Sequence, residues 1–112
     1  MRYGVFPIKP LAVATGSMTP NVNIGDIVII KKCKAKEIKV NDVIEYKLDK
    51  ISVIHRVIAI EKKGEEKIYI TKGDNNDRKD SLPVKENQII GKIIVKVKYL
   101  GYPAVWFSKN SD

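Results

Sequence analysis

Cysteine and histidine each occur only once in this chain of 112 residues. One cysteine cannot form an internal disulfide, and one cysteine with one histidine cannot supply the three or four protein ligands of a zinc site. Apolar runs are short as well, because the longest falls well below the roughly 18 residues of a membrane-spanning helix. These absences exclude disulfide scaffolds, zinc fingers, zinc hydrolases and a segment of this chain that crosses a bilayer.

Glycine and proline are also scarce, at 7 and 5 residues, while 44% of the chain is hydrophobic, which favours one folded domain over residues 1–112. Ile and Val together number 29, whereas Leu and Ala number 9. Such an excess of β-branched residues favours strands over helices. We therefore predict a mostly-β domain, with a small folded-over or barrel-like sheet. Six strands are expected, at residues 10–14, 26–31, 42–46, 52–61, 67–71 and 89–98.

Positive charge outweighs negative charge, with 21 Lys and Arg against 13 Asp and Glu, so the net charge is +8. A basic surface can contact phosphates on nucleic acid or anionic lipid, or it can be a solvated face that protects sheet edges from aggregation. Aromatic residues are few and do not interleave with the lysines as a base-stacking surface requires, so no nucleic-acid partner is expected. The basic runs contain Lys31, Lys32, Lys34, Lys36, Lys39, Lys62, Lys63 and Lys67.

Three short segments carry the reactive groups. Residues 15–20, Thr-Gly-Ser-Met-Thr-Pro, place Ser17 at a bend after a strand, where a hydroxyl can be exposed beside free backbone N–H groups. The only histidine, His55, lies in the middle of a strand, on the same face as Val53 and Val57. The third segment, residues 72–80, follows a strand and contains several carboxylates, among them Asp74 and Asp80.

Each segment alone also has an ordinary structural interpretation. A Gly-Ser pair is typical of a turn, a lone strand histidine is commonly a hydrogen-bonded core residue, and an acidic turn is commonly only polar. The acidic turn could offer oxygen ligands to a cation, but it lacks the spacing of an EF-hand. Together, however, a hydroxyl, an imidazole and a carboxylate are the components of a Ser-His-Asp hydrolase.

The ordered segments resemble the sequence boxes of type I signal peptidases. Residues 15–20 are similar to the family's Ser-Gly-Ser-Met-x-Pro box, and residues 24–28 and 41–44 to its Gly-Asp elements, with Asn41 where glycine is usual. The remaining boxes are His-Arg-Val at residues 55–57, Lys-Gly-Asp-Asn at residues 72–75 and Ile-Gly-Lys-Ile at residues 90–93. A histidine in place of the usual bacterial lysine base indicates the endoplasmic-reticulum-type branch, found in archaea and some Gram-positive bacteria.

The resemblance implies a serine endopeptidase that removes N-terminal signal peptides from secreted preproteins, without cofactor or metal. Ser17 would be the nucleophile and His55 the general base. Asp80 is the first choice for the carboxylate that orients the imidazole, and Asp74 the second, shaping the site or sharing the role. The Ser17 backbone N–H and the hydroxyl of Thr15, where the family commonly has serine, would form the oxyanion hole.

The family also implies a membrane location. Its members usually carry a transmembrane helix before the serine box, with the active site on the extracytoplasmic face, and here sixteen residues precede Ser17. We therefore expect a soluble fragment of a membrane-anchored protein. Trp106 and Phe107 could form an interfacial patch on the lipid surface or pack in the core. Partner subunits are not indicated by the sequence.

Two other functions are compatible with parts of the chain. Self-cleaving repressors share a Ser-Met box but use a lysine base, whereas this chain has His55 at that place. A non-enzymatic basic β-barrel that binds nucleic acid would account for the net charge of +8. A pseudoenzyme with intact motifs is a third alternative.

Overall fold

Antiparallel β-strands account for most of the structure, a computed structural model that describes residues 7–99 and 103–107, with side chains for residues 7–98. Two short 3₁₀ helices, Ala35–Glu37 and Glu86–Gln88, precede β3 and β7. Within the described residues no helix is long and apolar enough to cross a bilayer. The strands are β1 (Ile8–Ala12), β2 (Ile27–Lys32), β3 (Val43–Leu48), β4 (Ile51–Lys63), β5 (Glu66–Lys72), β6 (Val84–Lys85), β7 (Ile89–Tyr99) and β8 (Pro103–Phe107).

The strands form one sheet in the order β1-β2-β7-β3-β4-β5-β6, and β8 pairs with the second half of β7. In a flat sheet β1 and β3 would lie about 14 Å apart, three times the strand spacing of about 4.8 Å. Nevertheless, Lys9 Nζ of β1 lies 3.1 Å from a carboxylate oxygen of the fully buried Glu45 in β3. The sheet therefore curls over on itself. Among the described strands, β1 and β6 lie at the two ends of this order and do not pair with each other, so the sheet does not close into a barrel.

The mostly-β prediction is confirmed, and all six expected strands are present with ends that differ by at most two residues. Two strands were not predicted. β6 has only two residues and β8 begins with a proline, so neither shows a run of alternating apolar residues. The predicted roles of Trp106 and Phe107 concern side chains outside the described part of the chain.

Two apolar clusters form the core, and each contains a residue next to a reactive group. Met18, next to Ser17, is 1% exposed and belongs to the first cluster. Tyr46 and Val57 belong to the second. In β4, Ile54 packs against the first cluster and Val53 against the second. The two residues just before His55 therefore face opposite sides of the strand. The first cluster contains Val13, Met18, Val22, Val28, Ile30 and Ile93, and the second contains Ile38, Ile44, Tyr46, Val57, Tyr69 and Val84.

Candidate active site

Ser17 lies in the loop that follows β1, on a tight turn fixed by its own backbone. The N–H of Thr19 donates to the carbonyl of Gly16 at 3.1 Å, and the N–H of Val22 donates to the carbonyl of Met18 at 3.0 Å. The buried Met18 side chain anchors the turn in the core, and the neighbouring Ser17 is partly exposed. The hydroxyls of Thr15 and Ser17 are 3.2 Å apart.

The loop after β5 packs directly on the Ser17 turn. The backbone N–H of Asn75 donates to the carbonyl of Ser17 at 2.8 Å, and its side-chain amide donates to the carbonyl of Gly16 at 3.2 Å. The N–H of Asp74 contacts the sulfur of Met18 at 3.3 Å. Two boxes about 58 residues apart in sequence therefore hold each other in position.

Gly73 is the point of closest approach between these two loops. A Cβ atom on Gly73 would lie 2.7 Å from the Ser17 carbonyl oxygen and 3.1 Å from Nε2 of His55. Real Cβ atoms essentially never lie within 3.0 Å of a heavy atom in a non-adjacent residue, and the Ser17 oxygen belongs to the backbone, which cannot rotate away. Only glycine lets this loop approach both Ser17 and His55.

We expect Gly73→Ala to lower the turnover of any reaction that uses the Ser17–His55 pair by about 100-fold, because a misplacement of roughly 1 Å costs that much. Steady-state kinetics on the parent and the variant would measure the loss. The melting temperature of the same variant separates a displaced pair from an unfolded domain. Turnover close to that of the parent in a folded variant would show that the loop can move aside.

The imidazole of His55 bridges Ser17 and Asp80. Its Nε2 lies 3.2 Å from Oγ of Ser17, and its Nδ1 lies 2.6 Å from Oδ2 of Asp80. The side chains of His55 and Asp80 are 12% and 21% exposed, so water has limited access to their contact. With a proton on Nδ1, donated to the carboxylate, Nε2 presents its lone pair to the Ser17 hydroxyl.

Asp80 is held by groups that the sequence did not indicate. Its backbone N–H donates to the carbonyl of Thr71 at 2.8 Å. Its Oδ2 accepts hydrogen bonds from the hydroxyl of Thr71 at 2.6 Å and from the hydroxyl of Tyr46 at 3.3 Å. Tyr46 also contacts the His55 ring edge-on, with 6.5 Å between the ring centroids.

Asp74 has different partners from Asp80. Arg56 donates to both of its carboxylate oxygens, from Nε at 2.9 Å and from an Nη atom at 2.8 Å, and the Asn21 side-chain amide donates at 2.8 Å. Burial raises the pKa of Asp74, but the hydrogen bonds from Arg56 and Asn21 outweigh it and leave this pKa below its ordinary value. The same pair raises the pKa of Arg56. The structure therefore brings Ser17, His55 and Asp80 together, and places Asp74 in an ion pair that ties β4 to the two loops.

We expect Asp74→Asn to lower the free energy of unfolding at pH 7 by about 1.5–3 kcal/mol, the contribution of hydrogen bonds to a charged group. Because the folded-state pKa of Asp74 is lowered, its stabilisation is present above the unfolded pKa and disappears as the pH falls through the folded one. The difference between variant and parent should therefore shrink below about pH 4. Urea unfolding at several pH values would measure it.

Asp77→Asn is the matched control for this prediction, since it makes the same chemical change on an exposed side chain of the same loop. It is expected to change stability by less than about 0.5 kcal/mol. A stability difference for Asp74→Asn that stays constant down to pH 2 would contradict the assignment of the effect to the ion pair.

Two cavities meet at His55. The larger, about 520 Å³, is lined mostly by apolar residues of β1, its following loop and the start of β4, together with Thr15, Ser17 and His55. The smaller, about 220 Å³, lies on the side of His55 that faces Asp80 and is bordered by Tyr46 and Leu82. The larger cavity can accept a substrate next to the Ser17 hydroxyl. Within residues 7–99 and 103–107, no group of three His, Cys, Asp or Glu side chains could hold a metal ion.

Residues 2–70, more than half of the chain, match the family described as signal peptidase, peptidase S26. Signal peptidase I W of Bacillus subtilis is 35% identical over 100 residues, which cover 88% of this chain and 50% of that protein. The signal peptidase complex catalytic subunit SEC11 of Lachancea thermotolerans is 32% identical over 113 residues, and SEC11 of Zygosaccharomyces rouxii 34% over 112; each match covers 89% of this chain and 66% of the relative.

The chain thus spans between half and two thirds of the length of these relatives. The matches confirm the resemblance that the ordered boxes indicated, and the SEC11 relatives agree with the endoplasmic-reticulum-type branch indicated by His55. The chain belongs to the signal peptidase family, peptidase S26.

Proposed function

We propose that this chain is a serine endopeptidase domain that removes signal peptides from preproteins, with Ser17 as nucleophile, His55 as general base and Asp80 as the carboxylate that orients the base. The observation that carries this proposal is the single line of contacts from Ser17 Oγ through the imidazole to Asp80, at 3.2 and 2.6 Å. The names of the relatives in the signal peptidase family support the choice of substrate.

In the proposed reaction, Ser17 Oγ attacks the scissile carbonyl carbon while its proton passes to Nε2 of His55. The C–N bond of the tetrahedral intermediate then breaks, and His55 returns the proton to the leaving amine, leaving the signal peptide as an ester on Ser17. A water molecule, deprotonated by the same imidazole, hydrolyses the ester and regenerates the hydroxyl.

The developing oxyanion would be bound by the Ser17 backbone N–H and the Thr15 hydroxyl. Thr15 Oγ1 lies 3.2 Å from the nucleophilic oxygen, close enough for its hydroxyl to donate a hydrogen bond to the oxygen of the carbonyl group that Ser17 attacks. The two hydrogen bonds from Asn75 to the carbonyls of Gly16 and Ser17 support this role, because they hold the turn that carries both groups.

The larger cavity suits an extended peptide with small side chains. It runs between residues 11–15 and residues 51–55, and β4 pairs with β5 only from Arg56 onwards among its described pairs, so its first residues have a free edge. A peptide can bind there as an added strand. In such a peptide, the first and third residues before the cut would face the same side of the added strand. We propose that small residues, often alanine, are accepted at these two positions.

Cleavage of a purified preprotein in detergent or lipid, with sequencing of the new N-terminus, tests the proposal. We expect one cut after a small-x-small segment by the parent chain and none by Ser17→Ala. A second preprotein with a bulky residue immediately before the cut is the matched substrate control and should resist cleavage. Equal cleavage by Ser17→Ala would refute the assigned nucleophile.

Neither of the two alternative functions is supported by the site or by the comparisons. A lysine-based self-cleaving peptidase has no support from the contacts of Ser17, since its Oγ contacts the imidazole of His55 and the hydroxyl of Thr15. A nucleic-acid-binding barrel is not supported either, because the sheet of the described strands is open and the family comparisons give peptidases.

We further propose that the domain works against an anionic membrane surface on the extracytoplasmic side. Ile51 and Leu82, 65% and 63% exposed, border the larger and the smaller cavity, so each cavity has an exposed apolar side chain at its border. The net charge is +8, and all the lysines of the basic runs except the partly buried Lys31 are exposed. A surface that has both exposed apolar residues and an excess of basic ones is typical of interfacial binding.

In co-sedimentation, we expect at least about tenfold tighter binding to vesicles with anionic lipid than to neutral vesicles, at about 1 kcal/mol per contacting lysine. Raising the salt concentration should reduce the difference. Ile51→Ser tests the apolar part and should weaken binding to both types of vesicle. Equal affinity for both types in the parent chain would exclude the lipid role of the basic face.

A further inference from the structure

Two buried hydroxyl groups converge on the carboxylate that contacts His55. Thr71 is fully buried and Tyr46 is 4% exposed, and both donate to Oδ2 of Asp80. The Thr71 contact, at 2.6 Å, is as short as the one between Asp80 and His55 Nδ1. One oxygen atom is therefore reached by three donors from the adjacent strands β3, β4 and β5.

The register of these strands places the donors around Asp80. Tyr46 of β3 pairs with Val53 of β4, two residues before His55, and Thr71 of β5 pairs with Val57, two residues after it. After the loop that follows β5, the chain returns to Thr71, whose carbonyl accepts the N–H of Asp80. Thr71 thus holds Asp80 by both backbone and side chain.

The three donors on Oδ2 of Asp80 are compatible with only one tautomer of the neutral imidazole. Each hydroxyl has one proton, and when both protons point at Oδ2, the carboxylate cannot rotate without breaking two hydrogen bonds in a buried place. Nδ1 of His55 then carries the third proton, and Nε2 remains an acceptor for Ser17. Burial raises the pKa of Tyr46 to about 12, so its hydroxyl keeps its proton at the pH of an assay.

We propose that Thr71 and Tyr46 are positioning residues, which act through Asp80 to hold the His55 imidazole in the tautomer and orientation that accept the Ser17 proton. This inference rests on the proposed function for its kinetic consequence. Its structural part, the orientation of His55 by the two hydroxyls, does not depend on the substrate.

Thr71→Val removes the hydroxyl and keeps the shape of the side chain. We expect kcat for preprotein cleavage to fall about 10- to 100-fold, the loss of one hydrogen bond to a charged group, while KM changes less than about twofold. Tyr46→Phe, which removes the longer contact, should cost about three- to tenfold. Thr71→Ser keeps the hydroxyl and should retain at least about one third of the parent kcat.

Tyr69→Phe is the matched control for Tyr46→Phe, since Tyr69 is an equally buried tyrosine whose hydroxyl donates to the carbonyl of Ala35, away from the site. It should leave kcat within about twofold. In the Asp80→Asn background, Thr71→Val should add less than about twofold, because a residue that acts through Asp80 has nothing left to position. Equal losses in both backgrounds would overturn the proposal.

Proton NMR provides a measurement without substrate. His55 is the only imidazole of the chain, so the strongly deshielded Nδ1 proton expected from its 2.6 Å contact can be assigned without ambiguity. We expect this resonance to shift or broaden in Thr71→Val and Tyr46→Phe, and to remain in Thr71→Ser and Tyr69→Phe. If Thr71→Val does not fold, Tyr46→Phe and Thr71→Ala provide the same comparison.

The two proposals can fail separately. Cleavage that persists in Ser17→Ala refutes the proposed function, while the NMR comparison still decides whether the hydroxyls orient His55. A resonance that stays unchanged in folded Thr71→Val and Tyr46→Phe overturns the positioning role even when Ser17→Ala is inactive.

Discussion

Replacing His55 by alanine is expected to lower kcat/KM for preprotein cleavage by roughly 10⁴- to 10⁶-fold, because the proton of Ser17 then has no acceptor. Nε2 of His55 lies 3.2 Å from the Ser17 oxygen, and the chain contains no second histidine. The double variant Ser17→Ala/His55→Ala should be no slower than either single variant, since the two groups act as one unit. Single-turnover cleavage would measure all three.

Chemical rescue provides the control for this prediction. The imidazole ring borders both cavities, so its removal leaves a space that opens to solvent on two sides. Added imidazole should restore part of the activity of His55→Ala and none of the activity of His55→Gln, whose longer side chain occupies the space. Retention of more than about one tenth of the parent activity by His55→Ala would indicate another base, such as the lysine of the self-cleaving peptidases.

Local patterns in the sequence were sufficient to predict much of this architecture. The runs of Ile and Val that predicted strands became β2, β4 and β7, and the position of His55 in the middle of a strand is confirmed by β4. The ordered boxes predicted which short segments meet. The spacing of the boxes could not decide whether Asp74 or Asp80 contacts the histidine. The structure shows that Asp80 contacts His55 and that Asp74 pairs with Arg56.

The supporting groups could not be predicted, because they depend on contacts that are distant in sequence. Tyr46 and Thr71 have the appearance of ordinary alternating strand residues, and each reaches Asp80 only through the register of β3, β4 and β5. Arg56 belonged to a recognised box, yet nothing local assigned it a partner in the loop 18 residues later. The two-residue strand β6 is likewise defined only by its pairing with β5.

Asp80→Asn is expected to lower kcat by roughly 10³- to 10⁴-fold with little change in KM. The amide nitrogen of asparagine donates a hydrogen bond where the carboxylate accepts one, so it stabilises the imidazole tautomer with its proton on Nε2. That tautomer faces Ser17 with an N–H group and cannot take the hydroxyl proton. Steady-state kinetics would give kcat and KM separately, and the deshielded Nδ1 proton of His55 should disappear from the NMR spectrum.

Asp74→Asn separates the two carboxylates that the sequence left as alternatives. Its effect should fall mainly on stability, because Asp74 accepts from Arg56 and Asn21, with a loss of kcat of at most roughly tenfold through displacement of the Ser17 turn. Asp80→Asn should instead lose turnover, since Asp80 contacts the imidazole at 2.6 Å. If Asp74→Asn lost as much turnover as Asp80→Asn while remaining as stable as the parent, both carboxylates would orient His55, and the Arg56 ion pair would belong to the reaction as well as to the fold.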